Sequence, residues 1–148
     1  MVFKNLLFIC AGNSVRSQMA EGWARELSRG HAKVNSAGIH PCGLDPLAVE
    51  VMRQAGIDIS GQTSAMIDQR LLDWADCIIT MCDSVKQYAS LFPPTAVHIH
   101  WTVQNPDALV TQAISREEAY IRIREDIRSS VDTFLREQGI IEASDCKI

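Results

Sequence analysis

Hydrophobic residues follow two patterns along the chain. Short, continuous apolar runs are typical of strands buried on both faces of a parallel sheet, and they occupy residues 2–9, 33–37, 77–81 and 96–100. Longer segments with apolar residues three and four positions apart predict helices at residues 18–29, 45–54, 67–74 and 116–138, and a helical turn at residues 84–91. The alternation predicts an α/β fold, an open sheet of four parallel strands with helices on both faces.

Residue types at the helix ends support this assignment. Ser17 is expected to cap the first helix, and Glu21 is expected in its first turn, where the helix dipole favours a carboxylate. Asp45 and Pro46 form a typical start for the second helix. On the last helix, six apolar residues share one stripe that is expected to pack on the sheet: Ala119, Ile123, Ile127, Val131, Phe134 and Leu135.

Length and composition limit the class of protein. With 148 residues, the chain has a common size for one compact domain, so we expect a single domain at residues 1–148 that frays at residues 142–148. A net charge of -4 gives no general attraction to nucleic acid or to anionic membranes, and neither is expected as a partner. The apolar runs are too short to span a bilayer and no signal-peptide pattern is present, which predicts a cytoplasmic protein. We expect it to be a monomer.

The chain has five cysteines with irregular spacing: Cys10, Cys42, Cys77, Cys82 and Cys146. None forms a Cys-x-x-Cys pair of the zinc type, and the four histidines also lack metal-ligand spacing, so no firm metal site is expected. In a reducing cytosol these thiols are expected to be free or catalytic.

The segment between the first strand and the first helix carries the clearest chemical signal. It reads Cys10-Ala11-Gly12-Asn13-Ser14-Val15-Arg16-Ser17. A loop at the carboxyl end of a buried strand lies where open α/β sheets bind ligands, and its amides form an anion nest at the positive end of the helix. Residues 11–16 are therefore expected to bind a tetrahedral oxyanion. The Arg16 guanidinium can donate hydrogen bonds to two of its oxygens.

The same positive field favours the thiolate form of Cys10. Ser17 is placed to donate a hydrogen bond to its sulfur, and a thiolate in such a loop is a nucleophile. Asn13 tolerates left-handed backbone angles at the turn. The alternative is that Cys10 is only a small buried residue at a strand end.

Residues 10–24 resemble the low-molecular-weight protein tyrosine phosphatases and, within them, the thioredoxin-coupled arsenate reductases. Residues 36–39, 56–60, 62–64, 80–82 and 100–101 are also similar to that branch, and the likeness covers about residues 6–127. The resemblance implies the phosphatase-like fold and the reduction of arsenate to arsenite, an activity of arsenical resistance.

In that branch one cysteine attacks arsenate, and a second cysteine then displaces arsenite by forming a disulfide with the first. Cys10 and Cys82 match these positions, while Cys77 is expected in the core. The resemblance implies no bound cofactor and an external thiol reductant of the thioredoxin, glutaredoxin or mycothiol type. The alternative for Cys82 is a buried cysteine at a strand end.

The sequence departs from the branch at its third cysteine, where Ala89 and Ser90 stand. An external thiol would then have to resolve the disulfide directly, or a distant cysteine such as Cys42 or Cys146 would have to take part. Some of these reductases bind potassium at positions matching Asn13, Glu21 and Ser36, but Ala65 stands where they carry an aspartate ligand.

A second departure affects the general acid. The family carries an aspartate before a proline, and this chain has Asn105-Pro106-Asp107. Asparagine cannot donate the proton, and loss of an acid typically lowers the rate of ester hydrolysis on the order of 10²–10⁴-fold. The leaving group of arsenate is only hydroxide, and the proton of arsenate itself or Asp107 can assist its departure. Alternatively, Asp107 is a helix-capping or turn residue.

Three functions are therefore compared. The first is arsenate reductase, with Cys10, Arg16, Ser17, Cys82 and Asp107 as its catalytic residues. The second is a phosphatase that hydrolyses phosphate monoesters through a cysteinyl-phosphate, with Asp107 as its acid. The third is a non-catalytic module that binds arsenate or phosphate-like oxyanions. Cys82 favours the first over the second, because a phosphatase has no use for a thiol there.

Overall fold

The computed structural model describes residues 3–142. Its sheet has four parallel strands in the order β2-β1-β3-β4. The strands are β1 (Asn5–Cys10), β2 (Lys33–Gly38), β3 (Cys77–Thr80) and β4 (Val97–His100). Leu6 to Ile9 are all fully buried although their side chains alternate between the two faces, so both faces of the central strand are covered. The predicted four-stranded parallel sheet is confirmed.

Within residues 3–142, four α-helices accompany the sheet: α1 (Arg16–Leu27), α2 (Pro46–Gln54), α3 (Gln69–Trp74) and α4 (Arg116–Glu137). The helical turn expected at residues 84–91 is a 3₁₀ segment, Asp83–Leu91. A second 3₁₀ segment, Pro106–Leu109, had no counterpart among the predicted elements, because four residues are too few to show a hydrophobic period.

The predicted start of α1 is wrong by two residues. The helix begins at Arg16, and its capping position, Val15, makes no side-chain hydrogen bond. Ser17 lies inside the helix with its hydroxyl turned to Cys10. Glu21 consequently falls in the second turn, where it accepts a hydrogen bond from Ser36.

Helices α2 and α4 each begin with a side-chain cap. The Asp45 carboxylate accepts from the Leu47 amide at 2.8 Å and caps α2. Ser115 caps α4 by accepting from the Glu118 amide at 3.1 Å. The six apolar residues predicted on one stripe of α4 are all buried, and all but Ala119 belong to the same hydrophobic cluster as the sheet.

Two expectations concern the C-terminal end. Of the residues expected to fray, only Glu142 is described, and Cys146 lies outside the described residues.

Within residues 3–142, no helix combines the length and the hydropathy that a membrane crossing requires.

Gly22 is expected to be a point of tight packing. A Cβ added there would lie 2.6 Å from Cγ2 of Ile59 and 3.2 Å from Cε of Met52. Alanine favours a helix by about 1 kcal/mol over glycine, but overpacking a core costs about 1–3 kcal/mol. Gly22→Ala should therefore lower the free energy of unfolding, measured by urea denaturation. Gly61→Ala, where a Cβ meets nothing within 4 Å, is the control, and a Gly22→Ala chain as stable as the parent would contradict the packing.

Candidate active site

The loop between β1 and α1 is organised by the side chain of Asn13. This residue is fully buried and has the left-handed φ of 47° that asparagine tolerates. Its Oδ1 accepts from the Ala65 amide at 2.8 Å, which fixes which end of the side-chain amide is oxygen. Its Nδ2 donates to Oγ of Ser17 at 2.8 Å and to Oγ of Ser36 at 2.9 Å.

These bonds orient the hydroxyl of Ser17 towards the cysteine. Ser17 Oγ lies 2.9 Å from Sγ of Cys10 and already accepts from Asn13. Because a hydroxyl has one proton, that proton is free to be donated to the sulfur. A sulfur that accepts such a bond is stabilised as a thiolate.

Gly38, at the carboxyl end of β2, lies directly against the loop between β1 and α1. A Cβ on Gly38 would lie 2.8 Å from the carbonyl oxygen of Ala11 and 2.9 Å from the amide nitrogen of Asn13. Only glycine permits this approach, so the first turn of the loop rests directly on the end of the neighbouring strand.

A cavity of about 170 Å³ opens beside the loop. Its lining combines the loop with residues from three other segments: Cys10, Gly12, Ser14, Val15, Arg16, Asp45, Asn105, Pro106, Asp107, Arg116 and Tyr120. Arg16 is the first residue of α1, and its Nη1 donates to the carbonyl oxygen of Val103 at 2.9 Å. That bond holds one end of the guanidinium, which leaves its other donors for a ligand.

Asp45, Asp107, Arg116 and Tyr120 form one hydrogen-bonded cluster on the cavity wall. Arg116 donates to Asp107 at 3.1 Å and to Asp45 at 3.2 Å, and Tyr120 donates to Asp45 at 2.9 Å. The hydrogen bond to Asp107 raises the pKa of Arg116. Burial, followed by the bond to Asp45, raises the pKa of Tyr120 well above its usual value.

Sequence reasoning did not identify Asp45, Arg116 or Tyr120 as site residues. Asp45 was expected only as a helix start, a role it also has. One signal was available for Arg116. It is the first residue of α4, and the helix dipole disfavours a cation at that end. An arginine in this unfavourable position indicates that it has another partner.

Asn105 and Asp107 have separate roles. The Asn105 side chain accepts from the Asp107 amide at 3.0 Å and so caps the segment Pro106–Leu109. Asp107 lies in the first turn of that segment, as the turn-residue alternative expected, and its half-exposed carboxylate also lines the cavity.

Cys82 follows the end of β3, the strand beside β1. The Met81 amide donates to the carbonyl oxygen of Ile9 at 2.9 Å, which brings the two cysteine-bearing strand ends side by side. Cys82 is buried, with Sγ 3.5 Å from Oγ of Ser84, and it lies outside the lining of the cavity. Both thiols are free in this structure, so a disulfide between them requires at least one of the two side chains to change position.

Two further cysteines can be placed. The expectation that Cys42 is distant from the loop is wrong: its amide donates to the Gly12 carbonyl oxygen at 2.9 Å, and its Sγ lies 3.3 Å from where a Gly12 Cβ would be. Cys42 is exposed. Cys77 lies in the core as predicted, and burial raises the pKa of its thiol to about 12, so it stays protonated at neutral pH.

The three positions compared with a potassium site lie together. Asn13 donates to Ser36, and Ser36 donates to Glu21 at 2.6 Å. The other carboxylate oxygen of Glu21 is paired with Arg25, which supplies positive charge there. Ala65 offers no carboxylate, so these residues do not fit a complete potassium site. Among residues 3–142, no group of three or more His, Cys, Asp or Glu could hold a metal ion.

Known proteins are similar to this chain over most of its length. An arsenate reductase of Staphylococcus epidermidis is 37% identical over 131 residues, which cover 88% of this chain and 95% of that protein. A solved structure described as an arsenate reductase in the phosphate binding state aligns with a TM-score of 0.72 and 30% identity, over 90% of this chain and 98% of its own. A low molecular weight protein tyrosine phosphatase from T. tengcongensis has the same fold, with a TM-score of 0.78 and 24% identity over 90% and 99% of the two chains.

The family model described as low molecular weight phosphotyrosine protein phosphatase matches residues 5–139. This range includes the whole sheet, the loop from Cys10 to Arg16 and both strand-end cysteines. The chain belongs to the low molecular weight phosphotyrosine protein phosphatase family.

Proposed function

We propose that this chain is an arsenate reductase. The observation that carries the proposal is the pair of cysteines at the carboxyl ends of neighbouring strands, with Cys10 in the oxyanion cavity and Cys82 buried beside its strand. A phosphatase needs only the first thiol, whereas a reductase needs a source of two electrons. Relatives at 37–40% identity that carry the name arsenate reductase support the same activity.

The amides of residues 11–16 and the guanidinium of Arg16 hold arsenate against Cys10. The thiolate attacks arsenic, a sulfur–arsenic bond forms, and one arsenate oxygen leaves as water after protonation. Cys82 then attacks the sulfur of Cys10. The sulfur–arsenic bond breaks, its electron pair stays on arsenic, and arsenite leaves. The two electrons come from the two thiols, which are oxidised to a Cys10–Cys82 disulfide.

The leaving oxygen needs protons, and the site has no acid before Pro106. The side-chain amide of Asn105 is too weak an acid to give a proton, and its oxygen accepts from the Asp107 amide. The protons come from the substrate itself or with help from Asp107, the carboxylate nearest along the chain on the cavity wall. Arsenate can supply its own protons, but a phosphate monoester dianion cannot.

An external thiol of the thioredoxin, glutaredoxin or mycothiol class then reduces the disulfide. Cys42 is a candidate for relaying that reduction, because it is exposed and lies against Gly12. We further propose that the protein is a cytoplasmic monomer with one catalytic domain over residues 1–148.

The phosphatase function is the second candidate, and the family match favours it. In that case Asp107 would protonate the leaving alcohol. The presence of Cys82 weighs against this function, because a phosphatase has no use for a second thiol there. The non-catalytic alternative would bind oxyanions without turnover in the presence of any thiol system.

Ser17→Ala should slow alkylation of Cys10 by iodoacetamide about tenfold at neutral pH, because a hydrogen bond to a charged group is worth about 1.5–3 kcal/mol. The rate would be followed by mass spectrometry of the Cys10 peptide. Ser129→Ala, which removes an exposed hydroxyl on α4, is the control. An unchanged alkylation rate in Ser17→Ala would show that the hydroxyl does not stabilise the thiolate.

Cys82→Ser should abolish arsenite release in a single turnover without added thiol. The parent chain should release arsenite and gain a Cys10–Cys82 disulfide, detected by peptide mass spectrometry. Cys77→Ala is the matched control, because Cys77 lies on β3, the strand that Cys82 follows, but its thiol is buried and protonated.

Arsenite release by Cys82→Ser at the rate of the parent would refute the role given to Cys82. Rapid turnover of an aryl phosphate that survives the same substitution would identify the chain as a phosphatase instead.

A further inference from the structure

The proposed reaction gives no role to Asp45, Arg116 or Tyr120, which form one hydrogen-bonded cluster with Asp107. Its members come from the start of α2, the segment Pro106–Leu109 and the first two turns of α4. All four line the cavity that contains Cys10.

Arg116 is the centre of this cluster. Its Nε donates to Asp107, one Nη2 donates to both Asp45 and the Tyr120 hydroxyl, and the guanidinium lies 4.7 Å from the centre of the Tyr120 ring. These four contacts hold the guanidinium in place, and its Nε in turn fixes the carboxylate of Asp107. Without Arg116, that carboxylate would have no described side-chain partner among residues 3–142.

The charges of the cluster do not cancel. Two carboxylates face one guanidinium, which leaves one net negative charge on the wall of a cavity built for anions. A bare oxyanion oxygen placed near Asp107 would meet a second acceptor and be repelled. A hydroxyl on the anion would instead donate a charge-assisted hydrogen bond to the same carboxylate.

This distinction separates inorganic oxyanions by their protons. Arsenate and phosphate carry at least one hydroxyl near neutral pH, whereas sulfate carries none. We propose that Arg116 is a positioning residue that holds Asp107 as a hydrogen-bond acceptor, so that the site selects hydroxyl-bearing oxyanions over unprotonated ones. The inference refines the proposed function by naming how its substrate class is chosen.

The test measures the affinities of the full, reduced chain for phosphate and for sulfate by isothermal titration calorimetry. Neither anion is reduced, so the result does not depend on arsenate turnover. The parent should prefer phosphate. Asp107→Asn replaces an acceptor with an amide that can donate to sulfate, and it should lower the phosphate-to-sulfate affinity ratio about tenfold.

Arg116→Ala should lower the same ratio at least about threefold, because Asp107 is then no longer held at the wall. Arg122→Ala is the matched control. Arg122 is also exposed on α4 and paired with an acid, but its partner Glu118 lies on the same helix and outside the cavity lining. This control should keep the ratio of the parent.

Only a lower ratio in both variants upholds the proposal. A ratio within threefold of the parent in Asp107→Asn overturns the role of the carboxylate. A change in Asp107→Asn without one in Arg116→Ala overturns the positioning role of the arginine. If the parent chain fails to reduce arsenate but the phosphate-to-sulfate affinity ratios change as expected, the reductase function is refuted and this selectivity is upheld.

Discussion

The side chain of Asn13 is the interaction on which the site depends. Its oxygen is fixed by the Ala65 amide, and its nitrogen therefore donates to Ser17 and Ser36. One branch of this arrangement directs the Ser17 proton to Cys10, and the other connects β2 to Glu21 on α1. A buried network of this kind is stable only when every member is satisfied, so the fold and the reactive sulfur are specified together.

The site combines a positive loop with a wall that is locally negative. In the proposed function, the loop amides and Arg16 hold a tetrahedral anion whatever its central atom. The wall formed around Arg116 distinguishes among those anions. Asn105 caps a short 3₁₀ segment, and in the proposed function its lack of an acidic proton favours a substrate that brings its own protons.

The sequence predicted those features that local patterns encode. The strands, the stripe on α4 and the position of Cys10 before a helix follow from hydrophobic period and residue type. The start of α1 was misjudged because Ser17 is a good capping residue whose hydroxyl is used by Cys10 instead. Cys42 was thought distant, although it follows the end of β2, and the carboxyl ends of parallel strands share one edge. The Arg116 cluster joins three separate segments, a contact that no local pattern shows.

The central claim is that the loop and Arg16 present an oxyanion directly to the sulfur of Cys10. The most direct measurement is the rate at which iodoacetamide alkylates Cys10 as inorganic phosphate is added. Phosphate should protect the sulfur with a saturating dependence in the parent chain, and Arg16→Lys should weaken that protection because lysine lacks the planar fork. Alkylation of Cys10 at an unchanged rate in the presence of phosphate would contradict the account.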